Sequence, residues 1–175
     1  MNIESRAYNL LYHGNMEKSY DFIAQELSKL EKTPFHEVIH YDFTNDVSLI
    51  SKKLDEYING KSILGALYLE MNGFDINTNL WYFSIFGYDR DGGSSNWEWL
   101  SDWQNESERD FRLLGMEKIQ KIYKENELGS DQSVAASLLI VSKFQILMRL
   151  ARCHMVNQIV PIYCTAHDYD FIAKI

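Results

Sequence analysis

Apolar residues recur along the chain with two different periods, and the changes of period mark its elements. Between residues 16 and 32, Tyr20, Ile23, Ala24, Leu27 and Leu30 fall three and four apart, with Glu17, Lys18, Gln25, Glu26 and Lys29 elsewhere on the wheel. That spacing predicts an amphipathic helix. Thr33-Pro34 ends it, because the proline ring disfavours helical backbone in the residue before it. In residues 35–43, Phe35, Ile39, Tyr41 and Phe43 alternate with His36, Val38, His40 and Asp42, which predicts a strand. Thr44, Asn45 or Asp46 can then cap a second helix reaching Tyr57, with Val47, Ile50, Leu54 and Tyr57 on one side and Asn59-Gly60 closing it.

Residues 62–71 and 79–88 are rich in β-favouring side chains and joined by a polar stretch, so they are expected to pair as a hairpin. A loop follows over 89–96, then an irregular acidic stretch to Asp110. Helical spacing returns from Met116 to Asn126, and again after Ser130 or Asp131, either of which can cap a helix to His154. This last helix is apolar on most sides and is expected to be the central buried one. The C-terminal residues read as two short strands around Ala166-His167, with Pro161 placing the first at an edge or a bulge. Helices and strands do not alternate regularly. The expected fold is α+β, a mainly antiparallel sheet with a central hairpin packed against several helices.

Composition narrows this to one domain. A chain of 175 residues with 46% apolar and 24% charged residues, two prolines and nine glycines shows no linker, so a single α+β domain over 1–175 is expected. The start of the chain lacks the basic and apolar regions of a secretory signal. Val134 to Met148 is too short and too polar to span a bilayer. Cys153 and Cys164 read as reduced core thiols, consistent with a cytoplasmic protein. A net charge of −8 opposes sequence-independent binding to nucleic acid, which needs cations to displace phosphate counterions.

Several short motifs carry chemistry. His36-Glu37-Val38-Ile39-His40 resembles the HExxH signature of zinc metalloproteases. That resemblance implies His36 and His40 as ligands and Glu37 as general base. A strand there would set the two imidazoles roughly 13 Å apart, too far to share one ion. The motif is therefore kept as an alternative, a zinc hydrolase, while the primary expectation has no metal, no cofactor and no catalytic residue. His167-Asp168 with Asp170, and Cys164 near His167, are read as a turn beside a buried thiol. Asp89-Arg90-Asp91-Gly92-Gly93 opens like a calcium loop, but Leu100 stands where the bidentate glutamate belongs. There is no P-loop, dinucleotide fingerprint, G-x-S-x-G or paired CxxC.

One region departs from the rest in composition. Residues 89–110 hold Asp89, Asp91, Glu98, Asp102, Glu106, Glu108 and Asp110 against Arg90 and Arg109, together with Trp97, Trp99 and Trp103. Tryptophan concentrates at the energetic centre of interfaces, and surrounding carboxylates steer a basic partner. Asp89, Asp91, Trp97, Glu98, Trp99, Asp102 and Trp103 are accordingly the candidate binding residues, with the competing reading that the rings anchor a long loop on the sheet. On the binding reading, replacing Trp97 or Trp99 by Ala should weaken a partner complex more than the fold. In size, acidity, aromatic content and lack of a self-sufficient catalytic motif, the chain resembles immunity proteins of bacterial toxin systems. The resemblance implies a non-enzymatic bacterial inhibitor that covers a basic toxin domain, with neither nucleic acid nor membrane as partner. A structural subunit without catalytic activity is the other alternative.

Overall fold

The computed structural model describes residues 3–74, 79–107 and 110–175. Its order is α1 (Ile3–Tyr12), α2 (Met16–Lys29), a 3-10 helix (Pro34–His40), α3 (Val47–Asn59), β1 (Ala66–Asn72) and β2 (Tyr82–Tyr88). A short 3-10 turn (Glu98–Ser101) follows, then β3 (Asn105–Glu106), β4 (Phe111–Arg112), α4 (Glu117–Glu125), α5 (Asp131–Cys153), β5 (Ile162–Ala166) and β6 (Ala173–Lys174). The fold is α+β. Its sheet runs β3-β2-β1-β5-β6, with β4 also on β2. Every pair is antiparallel except β1 with β5.

Local chemistry sets the helix starts. The Asp46 carboxylate accepts hydrogen bonds from the Ser48 and Leu49 amides, satisfying donors that the first turn of α3 leaves free. Ser130 does the same for α5 through the Ser133 amide. α1 is not evident in the pattern of the sequence. Its Ala7 and Leu11, four residues apart, are buried, and the Ser19 hydroxyl of α2 donates to the Ala7 carbonyl at 2.8 Å.

The strand expected over 35–43 is instead a 3-10 helix followed by extended backbone. Pro34 sits at its first position and Thr33 with His36 forms a reciprocal cap, the arrangement that starts a helix. At three residues per turn Phe35 and Val38 eclipse one another and both are buried, so the same apolar residues satisfy a tighter period. Two further boundaries differ. Residues 62–65 lie before β1, and Pro161 lies before β5, where its carbonyl accepts from the Leu67 amide at 2.9 Å. β5 is thus an interior strand, and its proline costs no ladder hydrogen bond. Residues 75–78 of the hairpin connection lie outside the described residues.

Because strand side chains alternate, β1 sends Leu67, Leu69 and Met71 to one face and Ala66, Tyr68 and Glu70 to the other. The first face meets the helices. There Phe83, Ile85, Ile162 and Cys164 join Phe144, Leu147 and Met148 of α5 in the main core. α5 is the one helix among the described residues long and apolar enough to cross a membrane, and 78% of its most apolar stretch is buried against the fold. Two of its buried polar side chains tie other segments to it. Gln145 donates to the carbonyls of Cys164 (3.2 Å) and Phe171 (2.6 Å), stitching the β5–β6 turn to the helix. Lys143 donates to the Tyr41 carbonyl and the Asp42 carboxylate, both at 2.6 Å, and so ties the segment after the 3-10 helix to α5.

Candidate functional site

Among the described residues no α-helix contributes to the apolar cluster on the second face of the sheet. Ala66, Tyr68, Tyr88, Tyr163 and Ile172 form a smaller apolar cluster there, and Trp97, Trp99, Leu100 and Phe86 pack against it. The acidic aromatic segment therefore crosses this face as its cover. Trp99 is the wedge: its ring lies 4.7 Å from Tyr88 and 5.3 Å from Tyr163, edge-on to both, and its indole N–H donates to the Gly93 carbonyl at 3.0 Å. Trp97 stands edge-on to Tyr163 at 5.7 Å. A methyl group on Gly92 would sit 2.2 Å from Cγ of Trp99, so only glycine lets the backbone run so close to the indole.

Polar bonds fix the two ends of the crossing. The Tyr88 hydroxyl donates to the Leu100 carbonyl at 2.8 Å, and the Gln104 amide donates to the Gly87 carbonyl at 3.1 Å. Asp91 is the central tie. It accepts from the Tyr163 hydroxyl at 2.7 Å, the Gly93 amide at 2.8 Å and the Lys174 ammonium at 3.2 Å. Burial works against the Asp91 carboxylate, but those three donors outweigh it and hold its pKa below the ordinary value. Burial, with Asp91 opposite, also pushes the Tyr163 hydroxyl up, so it stays protonated and remains a donor.

The seven candidate residues thus divide by role. Asp91, Trp97 and Trp99 hold the segment to the sheet. Asp89, Glu98 and Asp102 are exposed, and Trp103 keeps 47% of its surface exposed while one side meets Phe86 at 5.3 Å. Trp97 and Trp99 pack on the sheet, so truncating either removes contacts of the fold as well as any contact with a partner. Trp81, the fourth tryptophan, is buried in the main core. Glu108 and Arg109, counted in the segment's charge, lie outside the described residues.

Two hollows flank the segment. One, of about 580 Å³, lies between Asp89, Arg90, Asp102, Trp103 and Gln104. The other, of about 500 Å³, opens on the opposite side, where Trp97 and Glu98 meet Glu4 and Tyr8 of α1 and Asp170 of the β5–β6 turn. Comparison with family models, curated proteins and solved structures gives no match for this chain. The chemistry must therefore be read from the geometry.

The remaining motifs fall elsewhere. In a 3-10 helix, four residues turn the chain by about 120° beyond a full circle, so His36 and His40 do not share a face. Both nitrogens of His36 are engaged by backbone: Nδ1 accepts from the Thr33 amide at 3.1 Å, which leaves Nε2 to donate to the Leu27 carbonyl at 2.8 Å. Glu37 pairs with Lys118 at 2.7 Å on the surface, which holds its pKa below the ordinary value. Among the described residues no three His, Cys, Asp or Glu side chains are grouped to hold a metal ion.

Cys164 points into the main core, where burial pushes its thiol pKa up, and His167 belongs to the other face. His167 Nδ1 lies 2.9 Å from Glu70, whose second oxygen accepts from the Tyr68 hydroxyl at 3.1 Å. Sequence reasoning did not find Tyr88, Tyr163 and Lys174 as the platform under the segment. Their partners are far along the chain, and only the strand register brings them together.

Proposed function

We propose that the chain is a non-enzymatic, acidic protein-binding domain, an immunity-type inhibitor that covers a basic toxin domain. The observation that carries this reading is the division of labour in the segment. Trp97, Trp99 and Asp91 lock it to the sheet, so Asp89, Glu98, Asp102 and Trp103 are offered to a partner from ordered backbone. A surface fixed before binding loses little conformational entropy on association. Exposed carboxylates around one large apolar ring match the anatomy of an interface that attracts a basic partner and anchors it at its centre.

The test starts with the product encoded immediately upstream of this gene. Co-expression should abolish that product's toxicity, and purified chain should bind it with an affinity that falls as salt rises. Trp103→Ala should then weaken binding by tenfold or more while lowering the urea midpoint of the free protein by no more than the loss of its contact with Phe86 accounts for. A harmless neighbour, or a complex indifferent to Trp103→Ala and to Glu98→Gln with Asp102→Asn, refutes the proposal.

A further inference from the structure

The hollow beside α1 has a chemistry of its own. Three aromatic residues, Tyr8, Trp97 and Phe171, line it together with three carboxylates that come from remote parts of the chain: Glu4 on α1, Glu98 in the segment and Asp170 in the β5–β6 turn. Among the described residues no lysine, arginine or histidine lines it. Some carboxylates elsewhere in the fold are ion-paired, as in Glu37 with Lys118, Asp42 with Lys143, Glu17 with Arg149 and Asp91 with Lys174. Among the described residues none of the three in the hollow has such a partner. Exposed carboxylates around a concave, aromatic-lined place attract a cation to it.

We propose that this hollow seats one arginine side chain of a protein partner. An arginine fits on three counts. Its planar guanidinium stacks on indole and phenol faces, its fork of N–H donors reaches more than one carboxylate, and its weak hydration makes burial cheap relative to an ammonium. The inference rests on the protein-binding reading and adds to it the identity of one anchoring side chain. It also places the contact on the α1 side of the segment, across from Trp103.

The isolated chain titrated with N-acetyl-arginine amide tests it, followed by the shifts of the tryptophan indole N–H signals. Saturable binding near the millimolar level is expected for a ligand of this size. The lysine analogue should bind at least threefold more weakly, and the uncharged citrulline analogue at least tenfold. Glu4→Gln combined with Asp170→Asn, both exposed positions, should weaken the arginine derivative about tenfold without moving the urea midpoint. No saturation, or equal binding of the citrulline or lysine analogue, overturns the proposal. A toxin partner whose affinity ignores the Glu4 and Asp170 changes but responds to Trp103→Ala also overturns it, while leaving the inhibitor reading intact. Arginine binding without any toxin partner supports the seat and sinks the inhibitor reading alone.

Discussion

Replacing Gly92 by Ala should release the acidic segment from the sheet, and the size of the effect follows from three contacts. The added methyl would lie 2.2, 2.4 and 2.5 Å from Cγ, Cδ1 and Cδ2 of Trp99. Carbon atoms meet comfortably at about 3.5 Å or more, so the indole must retreat by roughly 1.3 Å. Retreat forfeits its edge-on contacts with Tyr88 and Tyr163, each worth about 0.5–1.5 kcal/mol, and its hydrogen bond to Gly93, worth about 1 kcal/mol. The sum is about 2–4 kcal/mol.

That sign is opposite to the usual one. Gly→Ala at a site with room stabilises by about 0.4–1 kcal/mol through the unfolded chain. Hydrogen exchange of the Gln104 and Ser107 amides is the assay, since their bonds to the Gly87 and Ile85 carbonyls of β2 break when the segment lifts. Their exchange should quicken by about thirtyfold or more, at about 1.4 kcal/mol per tenfold. A double-mutant cycle locates the cause. With Trp99→Ala already made, Gly92→Ala has nothing to strike and should cost less than about 0.5 kcal/mol. Unchanged exchange in the single variant, or two additive effects, would refute the account of the segment as a wedge-locked cover.

Four other perturbations probe the rest of the fold. Lys143→Met keeps the side-chain length but leaves the Tyr41 carbonyl without its donor; a loss of about 1.5–3 kcal/mol in urea unfolding is expected, and equal or greater stability would show the buried ammonium is no net clasp. Asp42→Asn should cost about 1 kcal/mol or less, because that carboxylate is 77% exposed. The hydrogen bond to Glu70 raises the His167 pKa above the ordinary value of about 6.5, so the stability it contributes is full below that value and fades as pH rises through the raised one. Glu70→Gln should flatten the fall in urea midpoint over that window, and an unaltered slope would count against the pair. Of the two free cysteines, exposed Cys153 should react at once with a thiol reagent and buried Cys164 only on unfolding, whereas two fast thiols in native protein would contradict the packing of β5.

What the sequence made legible was whatever is decided within a few residues. The apolar spacing of α2, the caps at Asp46 and Ser130 and the β1–β2 hairpin all rest on neighbours along the chain. Residues 35–43 misled because alternation and a three-residue period select overlapping positions in so short a stretch; Thr33-Pro34 before it was the local signal for a helix start. Composition singled out the acidic aromatic segment, but not which rings face inward. That was settled by Gly92, Tyr88 and Tyr163, residues that meet only once the sheet exists. The hollow beside α1 was hidden for the same reason, since Glu4, Glu98 and Asp170 are united by tertiary structure alone.

The parallel pairing of β1 with β5 imposes an order on synthesis. Leu67 pairs with Ile162, so the inner edge of β1 waits until β5 has been made before it finds its partner. Until then the emerging polypeptide displays a hydrophobic strand with unmet amides and carbonyls, the template on which chains stick to one another. Closing so long a loop is also slow compared with forming the helices and the hairpin. The half-made protein should therefore depend on shelter by a chaperone at the ribosome, and a chain cut before residue 162 should be recovered as aggregate rather than as a smaller soluble domain.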